Sequence, residues 1–204
     1  MDKLSEQEFI TSYLHESVQV MQVFVEEGAG RHAITTFADV ITEALTARKK
    51  IMIAGNGGSA ADVQHIAGEF LSRFSFDRAP LAPIALTTDS SVLTAVGNDY
   101  GYEEVFERQV LGLGVAGDVF LGISTSGKSP SVLRALQAAR SKGIVTLGFT
   151  GSVANSMAGL YDYLLCAFSA KRAVIQQIHI VAAHLVYGLV EQRIFSHATQ
   201  AACQ

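Results

Sequence analysis

Two pairs of side chains in this sequence have the types and spacing of an acid–base or metal site. His65 and Glu69 lie four residues apart in a segment that reads as helix. At that spacing both project from one face and can reach a common ion or substrate, where a carboxylate takes protons and an imidazole gives or takes them near neutral pH. Gln176 and His184 lie eight residues apart in a second helical segment, roughly 80° apart around the axis and roughly 12 Å along it. Spacing alone therefore does not decide whether they serve one centre, and His184 could equally be a buried histidine satisfied by a neighbour. His179 has no partner at a telling spacing and reads as core or interface.

Two short loops could hold an anion. Gly55-Asn56-Gly57-Gly58-Ser59 follows an apolar run and precedes a helix, with Ser59 placed to cap it and Asp62 three residues on; glycines let the backbone approach closely and the helix start offers N–H groups. The same residues read as G-x-G-x-x-A, a weak form of the dinucleotide fingerprint, but Asp89 lies later than the acidic residue that fingerprint expects. The second loop, Ser124-Thr125-Ser126-Gly127-Lys128-Ser129, is dense in hydroxyls and faces a helix beginning near Pro130. Taken from Gly122 it matches the P-loop pattern, which keeps an NTPase or kinase in view, yet no apolar strand ends in an obvious magnesium-binding Asp. Lys128 then reads as a solvated lysine.

The elements that must position these groups follow from periodicity. Ser5 to Glu27 carries apolar residues at helical spacing (Phe9, Ile10, Tyr13, Val18, Met21, Val25) and should end at Gly28 and Gly30, with a second amphipathic helix from about His32 to Arg48. Residues 1–48 thus form a helical hairpin, expected to serve oligomerisation, ahead of an α/β unit over 49–204 that carries both anion-friendly loops, in one structural domain. Candidate strands are Ile51 to Ala54, Pro83 to Leu86, Val119 to Ile123, Ile144 to Phe149 and Tyr163 to Phe168. Five strands alternating with helices imply a mainly parallel sheet covered on both faces, closed by a helix over about Val174 to Ile194. Loops after the first and third strands meet at the switch point of such a sheet, so both anion-friendly loops face one crevice. A hydroxyl cradle without a magnesium ligand suits a phosphate monoester better than a triphosphate.

Composition narrows the classes. The 204 residues give one domain with a sizeable core. Nineteen acidic against fifteen basic residues, with no dense Lys/Arg run, make nucleic acid an unsuitable ligand. The two cysteines, Cys166 and Cys203, suggest no disulfide framework. No secretory signal opens the chain and no stretch reads as a membrane span, so a cytoplasmic location is expected. The 49% hydrophobic content leaves surplus apolar surface for subunit contacts.

Four segments in combination resemble the SIS (sugar isomerase) family: Gly55 to Glu69, Gly97-Asn98-Asp99-Tyr100-Gly101, Ser124 to Ser129, and Ile175-Gln176-Gln177-Ile178-His179. The resemblance covers nearly the whole chain. It implies a flavodoxin-like, doubly wound five-stranded parallel sheet, a homotetramer with active sites at subunit contacts, one zinc ion per subunit, and an aldose–ketose isomerase acting on a seven-carbon ketose phosphate. By the same resemblance His65, Glu69, Gln176 and His184 are the metal ligands. Asn56, Gly57, Gly58, Ser59, Glu69, Asn98, Asp99, Ser124, Thr125, Ser126, Ser129 and Gln176 contact substrate, and Glu69 and His184 are base and acid. One departure stands at Ser169-Ala170-Lys171-Arg172-Ala173-Val174, where such proteins usually carry an acidic residue shortly before the Ile-Gln pair. The alternative within the family is a non-catalytic sugar-phosphate sensor or protein-binding tetramer, whose members lack the Glu and His pair.

Overall fold

Short runs of apolar residues, five of them, are extended because both faces of each run can be buried at once. In the computed structural model, which describes residues 5–26, 28–151 and 156–201, they form β1 (Ile51–Gly55), β2 (Pro83–Ala85), β3 (Val119–Ser124), β4 (Val145–Thr150) and β5 (Tyr163–Cys166). All pair in parallel, in the order β2-β1-β3-β4-β5. This is the flavodoxin-like order, and its switch point lies between β1 and β3, whose residues pair from Ile51↔Val119 to Gly55↔Ile123.

Seven α-helices surround the sheet among the described residues: α1 (Glu6–Glu26), α2 (Gly28–Thr46), α3 (Gly58–Leu71), α4 (Ser90–Asp99), α5 (Val105–Leu113), α6 (Pro130–Ser141) and α7 (Arg172–Ala201). One core layer packs α2, α3 and α7 on the sheet through Phe37, Ile41, Ile53, Phe70, Leu121, Phe149, Ile178 and Val186. The other face packs α5 and α6 through Met52, Leu86, Phe106, Phe120 and Leu136. Each such fully buried side chain contributes on the order of 1.5–3 kcal/mol relative to exposure, so the loops at the strand ends sit on a stiff platform.

The hairpin differs from the periodicity reading at its turn. Gly28 and Gly30 do not end the first helix; they open the second. A Cβ at Gly30 would lie 2.9 Å from the Phe24 ring, so the glycine there serves close packing of α1 on α2. The α1 stripe also faces outward: Ile10, Leu14, Val18 and Val25 are all more than half or half exposed. Glu16 pairs with Lys171, and the Gln177 amide donates to the Tyr13 hydroxyl at 3.1 Å, which ties α1 to the start of α7.

At the bottom of β1 and β3, Asp118 accepts from the amides of Lys50 and Val115 and from Lys50 Nζ at 2.5 Å. Burial would raise its carboxyl, but these donors outweigh that and hold it below the usual carboxylate range. Arg172 to Phe195 of α7 is long and apolar enough to cross a membrane by length and composition, yet half of that stretch is buried in the protein. Its centre, Ile178 to Val190, contributes seven buried residues to the core, so the reading of a buried helix holds.

Candidate active site

The first loop turns sharply because Gly57 sits at φ +59°, a backbone conformation open to glycine at little cost. Gly57 is the N-cap of α3, without a side-chain cap, and Ser59 lies inside the first turn; the expectation that Ser59 caps the helix is therefore corrected. The positive φ of Gly57 turns the chain directly into the helix, and Ser59 is left buried beside the crevice. The second loop runs from β3 into α6, with Ser129 at the N-cap and Pro130 in the first turn.

These loops meet as the switch point requires. Asn56 Nδ2 donates to Ser129 Oγ at 2.8 Å and Ser131 Oγ at 3.0 Å, while the Tyr102 hydroxyl donates to Asn56 Oδ1 at 2.9 Å. The three bonds fix the amide's orientation. Tyr102 and Ser131 were not singled out from sequence: they lie 46 and 75 residues from Asn56, and no local pattern joins them.

Asn56, Gly57, Gly58, Ser59, Ser124, Thr125, Ser126, Ser129 and Gln176 line one cavity of about 280 Å³, joined by Ile123 and by Arg172. The N-termini of α3 and α6 both open onto it, which favours an anion. Arg172 is its single cationic lining residue among those described, and it stands in the segment that departs from the family pattern. Lys128 is exposed and does not line the cavity; its amide donates to Ser126 Oγ at 3.2 Å. Asn98 and Asp99 end α4, bonded to each other at 2.7 Å, and are not part of the cavity wall.

Helices α3 and α7 lie side by side and carry the ionisable groups away from the cavity. At the cavity end Gln176 Nε2 approaches Ser59 Oγ at 3.5 Å. Further along, His65 Nε2 and His184 Nε2 face each other at 3.1 Å, with their rings edge-on at 77°. Glu69 Oε1 stands 3.8 Å from His65 Nε2. Beyond them Phe70 meets the Tyr187 ring at 5.8 Å. His65, Glu69 and His184 are thus brought together, and Gln176 sits at the phosphate-sized cavity.

Among the described residues no three His, Cys, Asp or Glu side chains form a ready metal-binding group. The His pair nonetheless suits a cation. Two imidazole nitrogens bonded to a tetrahedral zinc at about 2.0–2.1 Å stand roughly 3.4 Å apart, close to the observed 3.1 Å, and Glu69 is the adjacent anionic donor.

Neighbouring ionisable groups are shaped by burial. Burial raises the Asp62 carboxyl against the opposing pull of His65. Burial, then the charge of Glu69, pushes the Tyr187 phenol above its ordinary value, and its hydroxyl is buried without a hydrogen-bond partner among the described residues. His179 is core, as expected for a histidine with no partner at a telling spacing: it bonds the Thr150 carbonyl at 3.2 Å, packs on Phe149 and is pushed down to about 4 by burial. Burial likewise pushes the Cys166 thiol up to about 11, leaving it inert at neutral pH.

Known proteins match this chain over most of its length. The phosphoheptose isomerase of Burkholderia pseudomallei (strain 1710b) is 49% identical over 187 residues, covering 92% of this chain and 95% of its own. That of Aneurinibacillus thermoaerophilus is 46% identical over 188 residues, with the same coverage of 92% and 95%. Among solved structures, phosphoheptose isomerase GmhA from Neisseria gonorrhoeae superposes with a TM-score of 0.85 at 37% identity, over 92% of this chain and all of that one. A phosphoheptose isomerase from Francisella tularensis superposes at 0.88 with 31% identity, over 93% of this chain and all of that one. The sequence profile of the SIS domain matches residues 12–151, and the chain belongs to the SIS domain family.

Proposed function

We propose that this protein is an aldose–ketose isomerase that converts sedoheptulose 7-phosphate to D-glycero-D-manno-heptose 7-phosphate, a step of heptose biosynthesis. The observation that carries the reading is the pairing of α3 with α7, with an anion cavity at one end and an acid–base cluster at the other. From Ser59 to His65 is six residues, roughly 9 Å of helix, and from Gln176 to His184 eight, roughly 12 Å. That is the scale of an open-chain sugar phosphate, so a phosphate in the cavity delivers the distant carbonyl to Glu69 and His184.

Moving a carbonyl between C2 and C1 requires removing the proton on the neighbouring carbon, giving an enediol that is reprotonated on the other carbon. Glu69 takes and returns the carbon-bound proton. His184 moves protons on oxygen, including when the cyclic sugar opens. Hydroxyls of Ser124, Thr125, Ser126 and Ser129 hold the phosphate, with Asn56, Gly57, Gly58, Ser59 and Gln176 completing the wall, and this remote binding orients the reacting carbons. Asn98 and Asp99, at the end of α4, complete the substrate contacts. His65, Glu69 and His184 would hold a zinc ion, and Gln176, at the cavity end of α7, is the fourth ligand that the family resemblance implies. Bound there, zinc would polarise the carbonyl and offset the charge that develops on oxygen.

A homotetramer with sites at subunit contacts and a cytoplasmic location belong to the same reading. The outward apolar stripe of α1 supports association. A sensor or protein-binding role is disfavoured by the presence of both Glu69 and His184.

The test is turnover of a panel of ketose phosphates with five to seven carbons, with and without chelator, by the wild type and Glu69→Gln. The seven-carbon substrate should be converted fastest. Glu69→Gln keeps size and one oxygen but not the basic carboxylate, so kcat should fall by about 10² to 10⁴ while substrate still binds. A variant with near-normal kcat would move the base to His65 or His184.

A further inference from the structure

The mechanism makes no use of the most deeply buried ion pair in the described protein, Arg78 with Glu191, whose side chains are 2% and 1% exposed. Such a pair needs a reason, since desolvating two charges costs several kcal/mol per ion unless further hydrogen bonds are made. Here they are made almost completely. Glu191 accepts from the amides of Phe74 at 2.9 Å and Ser75 at 2.7 Å and from Arg78 Nε at 3.0 Å. Arg78 spends its remaining fork on backbone carbonyls: Nη2 on Glu69 at 2.8 Å, and Nη1 on Phe70 at 2.8 Å and Ala79 at 3.1 Å.

Both ends of this network reach the acid–base pair. The guanidinium caps the last carbonyls of α3, among them that of Glu69 itself, and so fixes the backbone from which the proposed base projects. Glu191 lies seven residues after His184, two turns along one face of α7, and anchors the loop that carries Phe74. The Phe74 ring stacks on His184 at 5.8 Å and 16°, and meets Tyr187 edge-on at 4.9 Å. It can do so because Gly188 has no side chain: a Cβ there would lie 3.1 Å from the ring. The imidazole is therefore held between His65 on one side and a ring whose own position is set by Glu191.

We propose that Arg78 and Glu191, acting through the Glu69 carbonyl and the Phe74 ring, are positioning residues that hold the proposed base and acid in register across α3 and α7. The inference rests on the isomerase reading of Glu69 and His184. A network that only braced the fold would change stability and leave the turnover of folded protein alone, whereas misplacing a reacting group by about 1 Å costs up to about 10²-fold in rate.

The test uses the full chain with Arg78→Lys, which keeps the charge but loses the fork, and with Phe74→Leu and Phe74→Tyr, which leave the ion pair intact. With sedoheptulose 7-phosphate, and at a temperature where each variant is folded by circular dichroism, Arg78→Lys and Phe74→Leu should lower kcat tenfold or more with KM within about threefold. Phe74→Tyr, which restores a ring, should recover most of kcat. Wild-type kcat in Phe74→Leu would overturn the proposal whether or not Arg78→Lys folds, and so would equal losses in the Leu and Tyr variants. Glu69→Gln run alongside separates the two ideas: if it stays active the base assignment itself fails, and if it is dead while the Phe74 and Arg78 variants turn over normally only the positioning role fails.

Discussion

Gly58 offers a perturbation whose size can be worked from the structure. A Cβ built there would stand 2.5 Å from Gln176 Nε2 and 3.1 Å from its Cδ and Oε1, about 1 Å inside ordinary contact distance for Nε2. Gly58 has no positive φ and lies in the first turn of α3, so alanine suits the backbone, and the helix gains at most about 1 kcal/mol from it. The clash falls on the far end of a flexible side chain, which can swing away cheaply. Gly58→Ala should therefore leave Tm within a few degrees of wild type and move the Gln176 amide off the cavity wall. Loss of one neutral hydrogen bond to substrate costs about 0.5–1.5 kcal/mol, so kcat/KM should drop about threefold to tenfold, with more if the amide also serves a metal. Steady-state kinetics with sedoheptulose 7-phosphate, beside a thermal melt, is the assay. Unchanged kcat/KM in a protein of unchanged Tm would refute the placement of Gln176 as a contact. A collapse of Tm would show instead that the amide is pinned by neighbours and not free to yield.

Other consequences follow from the same geometry. Arg172→Ala removes a cation that lines the cavity, so KM should rise about threefold to tenfold with kcat held, and raising the salt concentration should weaken the wild type more than the variant; equal salt dependence would exclude Arg172 from phosphate binding. Lys128→Ala should leave isomerisation largely intact, because that side chain lies off the cavity wall, and ATP hydrolysis by wild type that this change abolished would revive the nucleotide reading. His179 gives a pH dependence of stability. Burial holds it near 4 in the fold against 6.5 for the ordinary group, so above 6.5 neither state binds the proton and nothing is lost. As pH falls from 6.5 toward 4 the unfolded chain takes up a proton that the folded one refuses, and stability drops by up to about 3 kcal/mol. Urea unfolding across that window should show the slope, and His179→Gln should flatten it; an unchanged slope would move the acid sensitivity elsewhere.

The parts of this protein that announce themselves in sequence are those whose physics is local. Ile51 to Gly55 and Val119 to Ser124 are short apolar runs ending in glycine- or hydroxyl-rich turns, and a run buried on both faces needs no distant partner to declare itself. Boundaries failed where a residue's preference was overridden by what it packs against. Gly28 and Gly30 have the look of a helix stop, but Gly30 abuts the Phe24 ring and opens α2. Ser59 has the look of a cap, but the positive φ of Gly57 starts the helix two residues earlier. His65 and Glu69 could be paired from their spacing because one helix turn joins them. Their meeting with His184 could not, since it spans 119 residues and came instead from the family resemblance.

That long-range meeting nonetheless has a simple cause. Ser59 faces Gln176 across 117 residues, His65 faces His184 across 119, and Phe70 faces Tyr187 across 117 again. A nearly constant offset is what two helices running in the same direction must give, and both do so because each follows a strand of one parallel sheet on the same face. Strand order thus sets the pairing of every group along the α3–α7 track at once. The same constancy explains why the Arg78–Glu191 pair left no trace in either segment read alone: its 113-residue separation is the continuation of that track past the end of α3, where the chain turns back and a buried ion pair records that α7 has kept going.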